Sequence, residues 1–358
     1  MSPLLRRREL GPEARRSLPV TVDAFLRALG GSSVLRVAGR DPTRTRVVTT
    51  LVHGNEPSGV RAVHAWFREG GIPATDVVVW IASVDAALGP PLFAHRALPD
   101  HRDLNRCFFD AGPALDGETR EAGPIEETGE HALAQAALAE LRAAAPEALI
   151  DLHNNTGHNP AYAVATLAGA AECHLAALFG GYLVHSDLTL GALVEATARE
   201  FPSVTIECGR AGTSAADAIA LGGLRRFLEG EDWRSTPVDS VQVLVDPMRV
   251  ELAPNTALAF ADAPVPDVDL TFAADVDRHN FQTLEPGTAI GWIAEGRGWP
   301  LSVRGANGRD VSRDWFAFRD GRIETRRPLM PIMMTTEPAI AQSDCLCYVV
   351  RPAGTLPE

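Results

Sequence analysis

The sequence predicts an α/β fold: a three-layer domain with helices on both faces of a sheet, followed by a smaller β-rich domain. Up to about residue 228, short β-branched apolar runs alternate with longer helical segments, as in sheets covered by helices. Beyond about residue 230 the helical periodicity fades, and short β-like pieces stand between Pro- and Gly-rich turns. With 358 residues, 46% of them hydrophobic, the chain can form two cores. We therefore place the first domain at residues 1–228 and the second at 229–358.

The first predicted elements form a β-α-β unit. The runs RVVTTLV (46–52) and DVVVWIA (76–82) are short, β-branched and nearly continuously apolar, which predicts strands buried on both faces. The intervening segment PSGVRAVHAWFREGG (57–71) predicts a helix with a proline in its first turn and a Gly-Gly stop. Two strands joined through a helix in this way are expected to be parallel.

The following elements continue this alternation and then lose it. A second helix is predicted over 125–146, directly before the strand EALIDLH (147–153), and SVTIECG (203–209) predicts a further strand. After them, VQVLV (241–245) and GTAIGWIA (287–294) are β-like pieces of the second domain. The predicted parallel sheet therefore belongs to the first domain.

Composition excludes several classes of function. The formal net charge is −13 and there is no basic block, so neither nucleic acid nor an anionic membrane is an expected partner. All 33 basic residues are arginine. The lack of lysine excludes a lysine Schiff base and a P-loop lysine.

The cysteines and the apolar runs indicate the cellular compartment. Five cysteines, an odd number without a C-x-x-C pair, favour a reduced intracellular protein over a disulfide scaffold. The start MSPLLRRREL lacks the apolar core of a signal peptide, and no apolar run reaches the ~20 residues that span a bilayer. We expect a soluble, cytoplasmic protein.

Polar residues stand at the ends of three predicted strands. His53 and Glu56 follow the first strand, His153 ends EALIDLH, and Glu207 ends SVTIE. Ligands of open α/β sheets gather at the carboxyl ends of the strands. Two histidines and one glutamate are a common zinc set in hydrolases, in which a fourth position is left for water. By itself, His53-x-x-Glu56 is also compatible with a solvated polar loop after a strand.

The order of the motifs decides between these two interpretations. HGNE, DLNRCF, IDLHNNTG and TIECG follow one another between residues 53 and 209, each at or just after a predicted strand end. In this order they resemble the succinylglutamate desuccinylase/aspartoacylase family, which belongs to the wider zinc carboxypeptidase-like group. The resemblance implies a three-layer mixed sheet flanked by helices, with a C-terminal β-domain.

The resemblance also implies a metal site and a catalytic base. His53, Glu56 and His153 fall on the family's zinc ligands, so that one Zn²⁺ per chain is expected. Glu207 falls on the catalytic glutamate, which would take a proton from water and pass it to the leaving amine.

Further residues match family positions for the substrate. Asn105 and Arg106 fall on substrate-binding positions, and a guanidinium such as that of Arg106 suits a carboxylate. Arg96 is the first candidate for the arginine that polarises the scissile carbonyl, and Arg102 is its competitor because the spacing of Arg96 is about two residues longer than usual. Asn155 is a candidate substrate contact.

Two carboxylates near these motifs have alternative roles. Asp103 either holds Arg106 or is a turn residue. Asp151 either orients a ligand histidine or is a polar residue at a strand edge. The segment 109–124 is loop-like and is a candidate for shaping the pocket entrance.

The function implied by the resemblance is zinc-dependent hydrolysis of an N-acyl amino acid or a related small amide. The alternatives are a zinc carboxypeptidase-type peptidase and a non-catalytic binding protein on the same fold. A second family arginine has no clear counterpart, so the sequence does not choose between N-acetylaspartate and N-succinylglutamate. A homo-oligomer is compatible with the sequence.

Overall fold

A large mixed sheet forms the centre of the computed structural model, which describes residues 4–108, 128–305 and 307–353. The predicted pocket-entrance segment 109–124 lies outside the described residues. The strands, in chain order, are β1 Arg6–Glu9, β2 Ser33–Val37, β3 Asp41–Thr50, β4 Thr75–Ile81, β5 Ala148–Asn155, β6 Tyr162–Ala165, β7 Tyr182–His185, β8 Ser203–Arg210, β9 Gln242–Leu252, β10 Leu258–Phe260, β11 Leu270–Phe272, β12 Ala289–Ile293, β13 Leu301–Arg304, β14 Phe316–Arg319, β15 Arg322–Thr325, β16 Met330–Ile332 and β17 Cys347–Pro352.

Helices flank this sheet, and most of them belong to the first part of the chain. They are α1 Pro12–Arg16, α2 Val22–Leu29, α3 Ser58–Glu69, α4 Val84–Leu88, α5 Gly129–Ala143, α6 Ala170–Ala177, α7 Leu193–Thr197, α8 Ser214–Glu229, α9 Ser312–Trp315 and α10 Pro338–Ser343. Single 3₁₀ turns cover Leu104–Arg106, Trp233–Ser235 and Val276–His279.

The predicted parallel strands lie side by side in the order β4-β3-β5-β8. Successive residues of β3 show why helices cover both faces. Val48 belongs to the same apolar cluster as Phe67 of α3 and Phe227 of α8, whereas Val47 belongs to the cluster of Leu138 of α5 on the opposite face. Burial on both faces explains the continuous apolar runs, and the three-layer α/β prediction is confirmed.

The chain after residue 229 forms a smaller β-rich region, as the loss of helical periodicity predicts. Strands β10, β11, β12, β15 and β14 form a separate five-stranded sheet, whose apolar residues cluster with those of β9, β13 and β17. The remaining C-terminal strands extend the large sheet, which runs β1-β2-β4-β3-β5-β8-β6-β7-β9-β17-β16 with β13 paired to β9. The large sheet therefore crosses the sequence position 228/229, and the two-domain division there remains a prediction.

Candidate metal centre and active site

The loop after β3 begins with strained backbone and approaches its neighbours closely. Leu51, directly after the strand, is buried and has a positive φ of 59°. A Cβ on Gly54 would lie 2.7 Å from the backbone nitrogen of Ala87 and 2.7 Å from the carbonyl oxygen of His95. Gly54 has an ordinary φ, so close packing explains this glycine. The packed loop fixes the two polar residues that it carries.

The side chains of His53, Glu56 and His153 converge at the carboxyl ends of β3 and β5. One ligand atom from each lies within 4.8 Å of the other two. The Nδ1 atom of His53 lies 2.8 Å from Glu56 Oε1, and the Nδ1 atom of His153 lies 2.8 Å from Glu56 Oε2. All three residues are buried, with 2–6% of their surface exposed. The loop and the neighbouring strand thus bring together the three predicted ligands.

The other ring nitrogen of each histidine contacts an aspartate. His53 Nε2 donates to Asp103 Oδ1 over 3.1 Å, and His153 Nε2 donates to Asp151 Oδ2 over 2.7 Å. Asp151 is itself fixed by the hydroxyl of Thr49, which donates to its Oδ1. A proton held on Nε2 by an aspartate leaves Nδ1, the nitrogen that faces Glu56, as the atom that can give up its proton and coordinate a metal ion. The structure therefore supports the ligand-orienting interpretation of Asp151. For Asp103 it shows a contact with His53 that neither of the two sequence-based alternatives included.

Electrostatics keep this cluster charged in spite of its burial. Burial alone would raise the pKa of Glu56, but the imidazoles of His53 and His153 hold it well below its ordinary value. Burial likewise opposes ionisation of Asp103, yet His53 and Arg96 lower its pKa. An anionic carboxylate between two imidazole nitrogens is a suitable donor set for a divalent metal ion such as zinc.

Glu207 lies beside the cluster on the next strand of the sheet. Its position on β8 is directly opposite His153 on β5. The residue is 6% exposed, and its Oε2 atom has no hydrogen-bond partner among the described residues. Burial, together with the negative charge of Glu56, raises the pKa of Glu207 to about 8. An elevated pKa suits a carboxylate that must accept a proton and release it again.

The structure separates the two arginines that compete for the carbonyl-polarising role. Arg96 donates through Nε to Asp103 Oδ2 over 3.0 Å, and its Nη1 lies 3.7 Å from Glu56 Oε1. Its side chain is 42% exposed and thus accessible to a small molecule. Arg102 instead lines a separate cavity of about 330 Å³ that includes His101 and Glu130. The geometry therefore favours Arg96 over Arg102 as the arginine that polarises the scissile carbonyl.

The predicted substrate residues of the D-L-N-R motif occupy a short 3₁₀ turn beside Asp103. Asn105 is 8% exposed, and its Oδ1 accepts from the backbone nitrogen of Leu193 at the start of α7. Arg106 donates to the carbonyl oxygen of Asn105 and lies 4.0 Å from Asp103 Oδ2. Its side chain keeps 27% exposure. Arg106 therefore has room for a further anionic partner, whereas part of Asn105 is used to hold α7.

The two asparagines after His153 have different surroundings. Asn154 connects three elements: its Oδ1 accepts from the backbone nitrogen of Ser58, and its Nδ2 donates to the Ser58 hydroxyl and the carbonyl oxygen of Gly209. Asn155 accepts from Asn159 through Oδ1, but its buried Nδ2 has no partner in the described parts of the chain. The side chain of Asn154 thus holds three elements together, whereas the Nδ2 atom of Asn155 can donate to a substrate.

The sequence matches the catalytic-domain model of the succinylglutamate desuccinylase/aspartoacylase family over residues 42–224, half of the chain. The chain belongs to this family. The matched range contains all eight of the predicted site residues: His53, Glu56, Arg96, Asn105, Arg106, His153, Asn155 and Glu207.

Solved structures of succinylglutamate desuccinylase/aspartoacylase proteins share the fold. A succinylglutamate desuccinylase/aspartoacylase from Rhodobacter sphaeroides is 16% identical, with a TM-score of 0.57 over 89% of this chain and 88% of that one. A succinylglutamate desuccinylase from Vibrio parahaemolyticus is 17% identical, with a TM-score of 0.56 over 91% and 87%. Murine aminoacylase 3 is 18% identical, with a TM-score of 0.51 over 88% of this chain and 97% of that one. No curated protein matches the sequence.

One buried group beside the site carries no signal in the sequence. Tyr162 belongs to the segment PAYAVA, which matches none of the four family motifs and is typical of an ordinary strand. In the fold it lies on β6 directly opposite Glu207.

Among the described residues, no helix has the length and apolar character needed to cross a membrane.

Proposed function

We propose that this member of the family is a zinc-dependent amidohydrolase that removes the acyl group from an N-acyl amino acid or a related small amide. The observation that carries the proposal is the arrangement of His53, Glu56 and His153, whose ligand atoms face one another while two aspartates hold the outer histidine nitrogens. Family membership supports deacylation as the reaction.

The three clustered residues would hold one zinc ion per chain. Two imidazole nitrogens and one carboxylate are the donor set of many catalytic zinc sites. When bound, zinc would supply Lewis-acid polarisation of the amide carbonyl and of a water molecule. Asp103 and the buried Asp151 would keep each ring oriented for this role.

The remaining residues would divide the work of hydrolysis. Glu207 would accept a proton from the attacking water and then pass it to the leaving amine. Arg96, exposed at the edge of the cluster, would donate to the carbonyl oxygen as negative charge develops on it. Arg106 would bind a carboxylate of the substrate, and the unpartnered amide nitrogen of Asn155 would donate to an oxygen of the substrate.

A substrate panel on zinc-loaded protein tests this proposal. N-acyl amino acids that differ in the acyl group and in the amino acid are compared with peptides that carry a free C-terminal residue. We expect hydrolysis of the N-acyl amino acids, loss of activity with a chelator and recovery with zinc. If only the peptides were cleaved, the protein would be a carboxypeptidase-type enzyme and the deacylase proposal would be wrong. If the purified protein binds no zinc and stays inactive after zinc is added, it is a non-catalytic protein and the enzyme proposal is wrong.

A further inference from the structure

A phenol on β6 and a carboxylate oxygen on β8, both buried beside the proposed active site, lack hydrogen-bond partners among the described residues. Tyr162 is fully buried, and its hydroxyl makes no hydrogen bond to any described residue. The Oε2 atom of Glu207 is in the same situation. An unsatisfied buried polar group lowers the stability of a fold, and such groups therefore call for an explanation. These two are complementary, since a phenol can donate and a carboxylate oxygen can accept.

The sheet places the two residues next to each other. Tyr162 on β6 and Glu207 on β8 are directly opposed in an antiparallel pair. Opposed residues project from the same face, with their Cβ atoms roughly 5 Å apart. On its other side Glu207 is opposed to His153 of β5. Glu207 thus stands between a predicted metal ligand and a buried phenol, all on one face of the sheet.

The surroundings keep Tyr162 in its donating form. Burial, followed by the negative charge of Glu207, raises the pKa of the Tyr162 phenol well above its ordinary value. Its ring packs against Phe281, with ring centroids 5.0 Å apart, and lies in an apolar cluster with Leu244 and Val350. A neutral phenol fixed by apolar neighbours can aim its proton at one acceptor.

We propose that Tyr162 is a positioning residue whose hydroxyl donates to Glu207 Oε2 in the working enzyme and fixes the direction of the carboxylate. The other oxygen of Glu207 then remains for the attacking water. The inference rests on the proposed function for the role of Glu207 as the base, but the hydrogen bond itself does not depend on it. The two groups are not hydrogen-bonded to each other in this structure, so the proposal requires a side-chain rotation of Glu207 that brings Oε2 to the Tyr162 hydroxyl while apolar neighbours hold the ring.

Kinetics of Tyr162→Phe test the proposal in zinc-loaded protein. Because a hydrogen bond to a charged group is lost, we expect kcat to fall about tenfold or more, with KM and zinc content within about twofold of wild type. Tyr182→Phe is the matched control, since Tyr182 packs against the same Phe281 ring at 4.7 Å. An unchanged kcat in Tyr162→Phe, or an equal loss in the control, would overturn the proposal.

A double-variant cycle asks whether Tyr162 acts through Glu207. In a Glu207→Gln background, Tyr162→Phe should change the remaining kcat by less than about threefold, because the coupled partner is already altered. The same loss in both backgrounds would mean that Tyr162 acts on another group, such as the nearby Tyr348, and would overturn the assignment.

A crystal structure of the zinc-loaded protein separates this inference from the proposed function. The proposal requires the Tyr162 hydroxyl oxygen within hydrogen-bond distance of Glu207 Oε2, whatever the substrate panel shows. A separation that excludes a hydrogen bond overturns it even if the enzyme is an active deacylase. Conversely, a formed hydrogen bond in a protein without deacylase activity would refute the proposed function and leave the pairing intact.

Discussion

The two ends of the parallel sheet use buried charge in different ways. At the amino end, Arg46 of β3 is fully buried, yet every donor nitrogen of its guanidinium is paired: Nε with Glu147, Nη1 with the carbonyl oxygens of Phe227 and Gly230, and Nη2 with that of Glu231. At the carboxyl end, Glu207 is also buried, and its Oε2 atom has no partner among the described residues.

The difference separates a structural site from a functional one. The carbonyl groups at the end of α8 lack helical partners, and Arg46 supplies them with donors, so this network stabilises the fold. Unsatisfied groups at the other end are costly for stability and persist where chemistry requires them. We expect substitutions at the amino end to affect unfolding and those at the carboxyl end to affect metal binding and turnover.

The largest expected effect is the loss of metal in His153→Ala. Removal of a ligand from a three-residue set should reduce zinc content from about one per chain to near zero and abolish turnover. Elemental analysis of the purified protein gives the zinc content. His64→Gln is the control, because His64 is buried to the same degree but bonds to the carbonyl oxygen of Pro19. Full zinc in the His153 variant would remove this residue from the ligand set.

The second expected effect is a loss of turnover with metal retained in Glu207→Gln. General base catalysis typically contributes ~10²–10⁴-fold, so kcat should fall by about that factor. Glutamine keeps the shape of the side chain but removes the basic carboxylate, and zinc content should stay near that of wild type. Kinetics and metal analysis of one preparation measure both quantities. A fall in kcat of less than about tenfold would exclude Glu207 as the base.

The third expected effect belongs to the amino end. Arg46→Met should lower the free energy of unfolding by about 3–5 kcal/mol, because Glu147 and three carbonyl oxygens lose their buried partner. Urea unfolding of the purified variant measures this change. Zinc content and kcat per folded molecule should remain those of wild type. A variant that is as stable as wild type but has lost zinc would contradict the contrast between the two ends.

The smallest expected effect concerns the aspartate that holds the ligand His153. Asp151→Asn should weaken zinc binding by about 10–100-fold without abolishing it, since the ring loses a charged acceptor but keeps its position. Competition with a chelator of known affinity gives the ratio. Asp76→Asn is the control, because Asp76 accepts from the backbone nitrogen of Gly39 away from the metal ligands. Equal zinc affinities of the two variants would show that Asp151 has no orienting role.

The sequence determined the parts of the molecule that depend on local pattern. Short β-branched runs predicted β3, β4, β5 and β8, because a strand buried on both faces must be apolar along its length. Helix α3 begins at Ser58, next to the predicted proline, and ends before the predicted Gly-Gly pair. The order of four motifs also selected the residues that the structure brings together as a possible metal site.

Only the tertiary structure decided which distant groups pair. Asp103 could hold Arg106 or end a turn, and the fold directs it to His53 and Arg96. The opposition of Tyr162 and Glu207 depends on strand order and register, which are properties of the assembled sheet. The extension of the large sheet by strands after residue 229 has the same origin. Local residue patterns encode helices, strands and motifs, whereas contacts between distant segments are set by the packing of all the layers together.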